Sequence, residues 1–74
     1  MIKTTVKVEG MMCHNCENRM NKAIIKNFTV SDVNSSARDN VTVVVSEAAL
    51  DETVLAQTVN GLGFTYGGMT TEEC

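Results

Sequence analysis

Polar and apolar positions alternate over residues 2–9, with Thr4 falling among the apolar positions. Ile2, Thr4, Val6 and Val8 fall on one side of an extended chain, and Lys3, Thr5, Lys7 and Glu9 on the other. That period of two predicts a half-buried strand, which Gly10 ends. After a short loop through Met11, Met12 and Cys13 the period changes. Cys16, Met20, Ala23, Ile24 and Phe28 recur at helical spacing, so residues 15–28 read as a helix with Glu17, Asn18 and Asn21 off its apolar face. Val30 to Ser35 forms a weaker strand, and the polar run from Ser35 to Asn40 reads as a turn. Val41 to Ser46, with four Val in its first five positions, is the clearest strand. Its near-continuous apolar character suggests a central place in the sheet.

Asp51 has the chemistry of an N-cap, its carboxylate able to accept from the N–H of Thr53 or Val54. Val54, Leu55, Thr58, Val59 and Leu62 continue a second helical face, and Gly63 supplies a stop. Asn60-Gly61 resembles a hairpin turn but lies inside this periodic stretch and is read as helix. Thr65 to Met69 forms a last short strand, and residues 70–74 a flexible polar tail. The Val-rich stretch 41–45 and the Leu and Val positions of the second helix make up the expected core. The order is β-α-β-β-α-β, and two such βαβ units build a four-stranded antiparallel sheet covered on one face by two helices. The expected class is therefore α+β, a ferredoxin-like sandwich, with residues 1–74 forming one domain.

Composition narrows the function. Seventy-four residues with 43% apolar and 4% aromatic side chains, no Trp and no Pro, support a small aliphatic core. A formal net charge of −3 argues against nucleic acid, because phosphate binding needs a clustered basic surface. No run approaches the ~18 apolar residues of a membrane span, and the N-terminus lacks the apolar stretch of a secretory signal. Three cysteines leave at least one thiol without an intramolecular partner, which fits a reducing cytoplasm better than a disulfide framework. The initial Met1 and the length favour a free-standing chain.

The chemistry is concentrated in Cys13-His14-Asn15-Cys16. A zinc finger or ribbon needs four ligands, and there is no second pair. A c-type haem site needs His after the second Cys, where Glu17 stands. A thioredoxin-like site pairs its disulfide with a cis-proline, and this chain has no proline. Two soft thiolates suit a soft ion such as Cu(I), which accepts two-sulfur coordination. Cys16 in the first helical turn gains from unpaired N–H groups and the positive helix end, and Arg19 adds a cation one turn on. His14, between the two Cys, is expected to point to solvent rather than ligate.

The stretch Gly10-Met11-Met12-Cys13-His14-Asn15-Cys16 resembles the Gly-Met-x-Cys-x-x-Cys signature of the heavy-metal-associated domain family, and Gly63 before an aromatic extends the likeness along most of the chain. That family includes soluble copper chaperones, N-terminal modules of copper- and zinc-transporting P-type ATPases, and mercury-binding carriers. The resemblance implies a βαββαβ fold, a metal held by Cys13 and Cys16, and metal carriage rather than turnover of a substrate. The implied partner is the metal-binding domain of a metal-transporting P-type ATPase, reached by thiolate exchange from a monomer or a metal-bridged dimer. Zinc and cadmium modules often place a carboxylate before the first Cys; Met12 supplies none, which favours Cu(I) over Zn(II) or Cd(II) and leaves Hg(II) compatible. By the family pattern Met11 packs beneath the loop. Three positions depart from the pattern: Met12 where Thr is common, Phe64 where copper chaperones often carry Tyr or Lys, and Cys74, which has no counterpart. Phe64 is expected to shield the metal from water. Arg19, Lys22 and Lys26 form a cationic stripe beside the loop. Two readings from other classes stand beside this one: a thiol–disulfide oxidoreductase using Cys13 and Cys16, and an interaction domain whose Cys pair is incidental.

Overall fold

The computed structural model describes residues 1–11 and 14–73, His14 through its backbone. The elements are β1 (Ile2–Glu9), α1 (His14–Asn27), β2 (Asp32–Ser36), β3 (Val41–Ser46), α2 (Glu52–Gly61) and β4 (Thr65–Glu73). This is the expected βαββαβ order. The strands form one sheet in the order β2-β3-β1-β4, with every neighbouring pair antiparallel.

Alternation along β1 sets the two faces. Thr4, Val6 and Val8 are buried beneath the helices, and Lys3, Thr5 and Lys7 lie on the opposite, open face. Cross-strand partners share a face, so Val44, opposite Thr4, is also buried. Met20 and Ile24 of α1 and Leu55 and Val59 of α2 close the core from above, each fully buried. Burying side chains of this size contributes on the order of 1.5–3 kcal/mol apiece, which matters in so short a chain. Met11 and Phe64 complete the cluster at one end.

Four expectations change. β3 is central, as its composition suggested, but only Val44 of its four Val is in the core; Thr42 and Ser46 share the buried face, and Val41, Val43 and Val45 are half-buried on the open one. A continuous apolar run does not reveal which alternate residues face inward; the register with β1 does. In the same way Val54, placed on the apolar face of α2, is 39% exposed. Residues 70–73, expected as part of a flexible tail, continue β4, pairing Thr5 with Thr70 and Ile2 with Glu73. Their polar character reflects an edge strand, and a Lys3–Glu72 ion pair at 3.6 Å spans it. Cys74 lies outside the described residues. The turn after β2 is confined to residues 37–40, since Ser35 and Ser36 belong to the strand; Asn40 closes it at φ 57°, a left-handed conformation Asn tolerates.

The helix boundaries follow their caps. Asp51 Oδ1 accepts from the N–H groups of Thr53 and Val54 at 2.9 and 3.3 Å. Gly63, at φ 89°, takes the left-handed position past the end of α2. The last bond of α1 runs from Phe28 N–H to Ile24 O, 2.9 Å. Tyr66 Oη donates to Glu52 Oε2 at 2.7 Å and ties β4 to the start of α2. Burial of the phenol, then that hydrogen bond and the carboxylate charge, push its pKa up from 10.0 to about 12.

Two measurements probe this packing. Thr4 Oγ1 is buried with no hydrogen-bond partner. Its hydroxyl has lost water without replacement, so Thr4→Val should raise the unfolding free energy by about 1 kcal/mol, read as a higher urea midpoint at unchanged slope. The raised Tyr66 pKa means the folded state keeps its proton after the unfolded chain has begun to lose it at pH 10. Its contribution to stability is complete below pH 10 and declines as pH rises to about 12. Ultraviolet titration of the phenol should therefore show a midpoint near pH 12, moved back toward 10 by Glu52→Gln.

Candidate metal centre

Three connections meet at one end of the sheet. β1 runs into the loop that begins with Gly10 and Met11, the 37–40 turn links β2 to β3, and residues 62–64 lead from α2 into β4. Val8 N–H donates to Asn40 O at 2.9 Å, which holds the second connection against the end of β1. Gly10 packs on the third. It has φ 102°, and a Cβ there would sit 3.6 Å from the Phe64 ring and 3.7 Å from its Cα. The space would admit a methyl group; the backbone conformation is what calls for glycine. Met11 follows at 3% exposure, packed into the core as the resemblance implied.

The chain then enters α1 at His14, one residue earlier than the periodicity suggested. Cys16 is in the first turn, half-buried and packed against the core cluster. Cys13 and Met12 lie outside the described residues, as does the side chain of His14, so the proposed pairing of Cys13 with Cys16 is a matter for the functional reading below. Among the described residues no three His, Cys, Asp or Glu side chains gather into a metal cluster.

Four residues that motif reading did not single out as anchors hold the turn carrying Cys16. Glu17 Oε2 accepts from Ala37 N–H at 2.7 Å, pinning the start of α1 to the 37–40 turn. One turn further on, Asn21 Oδ1 accepts from Ser35 Oγ at 2.6 Å, and Ser35 Oγ lies 3.0 Å from Thr42 Oγ1. This polar chain joins α1 to β2 and β3 beneath it. The only signal in the sequence was the acidic residue in the first helical turn; the partner 20 residues away was not legible.

Arg19 is engaged rather than extended. Its Nη2 donates to Leu62 O at 3.3 Å, and its guanidinium lies 5.9 Å from the centre of the Phe64 ring. Leu62 caps the C-terminus of α2, whose negative dipole end favours a cation. Phe64 is 7% exposed and serves as a floor between Gly10 and Arg19. Lys22 and Lys26 continue along α1 and, with Arg19, line a groove of about 410 Å³ between the helices, its far wall formed by Gln57, Thr58, Gly61 and Leu62. Among the described residues no carboxylate lines it.

These features place the chain among known proteins. The family model for the heavy-metal-associated domain matches residues 5–65. No curated protein matches the sequence at a significant level. Among solved structures, a copper-binding domain of the P-type ATPase HMA7 is similar with a TM-score of 0.77 at 23% identity, over 99% of this chain and 96% of that one. The yeast copper transporter domain Ccc2a is similar at 0.78 and 18%, over 99% and 97%. A heavy metal binding protein of Thermotoga maritima is similar at 0.69 and 15%, over 90% and 94%. At such identities the likeness speaks for the fold, and it matches the sheet order and helix placement described above. With the family model spanning both helices and the loop between β1 and α1, the chain belongs to the heavy-metal-associated domain family.

Proposed function

We propose that this domain carries one Cu(I) between the sulfurs of Cys13 and Cys16 and passes it to the metal-binding domain of a P-type ATPase in the cytoplasm. The observation that carries the reading is the position of Cys16 in the anchored first turn of α1, within a family whose members bind heavy metals. The positive end of the α1 dipole favours thiolate there. Two thiolates with Cu(I) carry a net charge of −1, and Arg19, held across Phe64, supplies a nearby cation. The choice of copper rests on soft-ligand chemistry, on the lack of a carboxylate before Cys13, and on two similar structures being copper domains, one described in apo and Cu(I)-loaded states.

Transfer needs no free ion. A thiolate of the acceptor bonds to the metal, giving a three-sulfur intermediate, and one of the two original thiolates leaves; a second acceptor thiolate then displaces the other in the same way, so the ion passes between proteins without meeting water. Such a domain is a carrier and turns over no substrate. A thiol–disulfide oxidoreductase would instead consume a disulfide stoichiometrically with oxidation of Cys13 and Cys16.

The acceptor is expected to be acidic and to dock against α1. Lys22 and Lys26, beside the groove, lie at the rim where charge raises association rate and is screened by salt over about 10 Å at 0.1 M.

Two experiments test the reading. Competition against a Cu(I) chelator should give one ion per chain with an all-sulfur shell by X-ray absorption, lost in the Cys13→Ser, Cys16→Ser double variant. His14→Ala should change affinity less than about tenfold, or 1.4 kcal/mol. A nitrogen-rich shell, or binding retained by the double variant, overturns the site. Separately, Lys22→Glu with Lys26→Glu should slow transfer to an ATPase domain and flatten its salt dependence at nearly unchanged Cu(I) affinity; unaltered transfer would make the stripe a solvated surface.

A further inference from the structure

Both helices cover one face of the sheet, and among the described residues no element covers the other. Val41, Val43 and Val45 form a stripe down β3 on that open face, each half-buried. The pairing registers place their neighbours. At the level of Val45 stand Lys3 on β1 and Asp32 on β2; at Val43, Thr5 and Asn34; at Val41, Lys7 and Ser36. The apolar stripe thus has a row with two lysines on one side, Lys3 also ion-paired with Glu72 of β4, and a neutral-to-acidic row on the other.

From this arrangement we infer that the open face associates with a second copy of the same chain about a two-fold axis parallel to β3. That axis stacks each Val stripe on its mate and exchanges the flanking rows. Lys3 of one copy then faces Asp32 of the other at the Val45 level, twice by symmetry, while Thr5 faces Asn34 and Lys7 faces Ser36. The alternative two-fold, running across the strands through Val43, also superposes the stripes but sets Lys3 against Lys7 twice. Charge therefore selects the first arrangement, and the selection comes from the chain's own register.

The geometry has a consequence for the metal end. An axis parallel to β3 leaves strand direction unchanged, so the loops following β1 in the two copies emerge at the same end of the dimer. The sheets stack about 10 Å apart with their helices outward. The groove with Lys22 and Lys26 stays on the outside of each copy, so a dimer offers two metal loops side by side and two docking surfaces. β4 is the outermost strand on its side and is left uncovered.

The contact is small. Three strands about 4.8 Å apart and six residues at about 3.4 Å each cover roughly 300 Å² per copy, in the range of transient association. The dissociation constant should lie at roughly 0.1–1 mM.

The test uses the full chain with chelator and a phosphine reductant, which removes metal-bridged and disulfide-linked dimers. Diffusion and chemical-shift measurements from 20 μM to about 2 mM should show dimer formation with shifts centred on Val41, Val43 and Val45. Two charge variants decide the geometry: Lys3→Glu combined with Glu72→Lys, which keeps the pair across β1 and β4, and Asp32→Lys. Each alone opposes like charges at both contacts and should associate at least about tenfold more weakly than wild type. Their equimolar mixture opposes unlike charges at both contacts and should regain wild-type association. The inference is overturned if the wild type is monomeric throughout, if the shifts fall on another face, or if the mixture associates no better than its components. None of these outcomes bears on Cu(I) binding, so the two readings stand or fall separately.

Discussion

The two-sided pairing of β1 is the constraint on which the metal end depends. β1 is hydrogen-bonded to β3 on one edge and β4 on the other, and it runs directly into the loop that carries the cysteine motif. Slipping it by one residue would turn Thr4, Val6 and Val8 out from under the helices and expose Lys3, Thr5 and Lys7 to the core. The burial of Val6 and Val8 against Met20, Ile24, Leu55 and Val59 therefore does more than stabilise the fold. It fixes how far β1 extends, and so where Gly10 meets Phe64 and where α1 begins.

From that fixed point the loop is held by contacts of very different kinds. Gly10 contributes a backbone conformation, Met11 and Phe64 contribute apolar volume, and Glu17 contributes a charge-assisted bond to the 37–40 turn. The Glu17 carboxylate follows Cys16 directly, yet its bond to Ala37 N–H turns it toward the turn between β2 and β3. Arg19 takes the opposite course, drawn to the carbonyl at the end of α2 and across the face of Phe64. The first turn of α1 is thus flanked by an anion already satisfied elsewhere and a cation held in place. That division suits the proposed site, in which two thiolates and a monovalent ion would carry a net charge of −1.

Much of this was legible in the sequence. Period-two alternation marked β1, the N-cap chemistry of Asp51 and the stop at Gly63 marked α2, and the spacing of Cys13 and Cys16 marked the candidate ligands. Strand β3 was legible as a strand but not as to its inward face, because four Val in five positions carry no alternation. The length of β4 was hidden for a related reason: Thr70, Thr71, Glu72 and Glu73 look like a polar tail unless β1 is known to offer a free edge along its full length. Glu17 and Arg19 were visible only as charges near the motif. Their roles depend on partners 20 and 43 residues away, which no local pattern encodes.

The departure at Phe64 illustrates how such long-range contacts can give a residue a further use. A side chain in this position was expected to act on the metal by excluding water. In the structure it is nearly enclosed, with Gly10 on one side and the Arg19 guanidinium 5.9 Å from its ring centre. A polar Tyr or a Lys there would carry its own functional group toward the loop; Phe64 instead positions someone else's. Removing the aromatic surface would release Arg19 from its contact with the ring and leave the hydrogen bond to Leu62 O in place. The positive charge of Arg19 is thus held in place across a buried ring, while Lys22 and Lys26 line the groove beside it. A chain with only six Lys and Arg residues thus holds one of them, Arg19, against a buried ring and a helix end, and leaves Lys22 and Lys26 lining the groove between the helices.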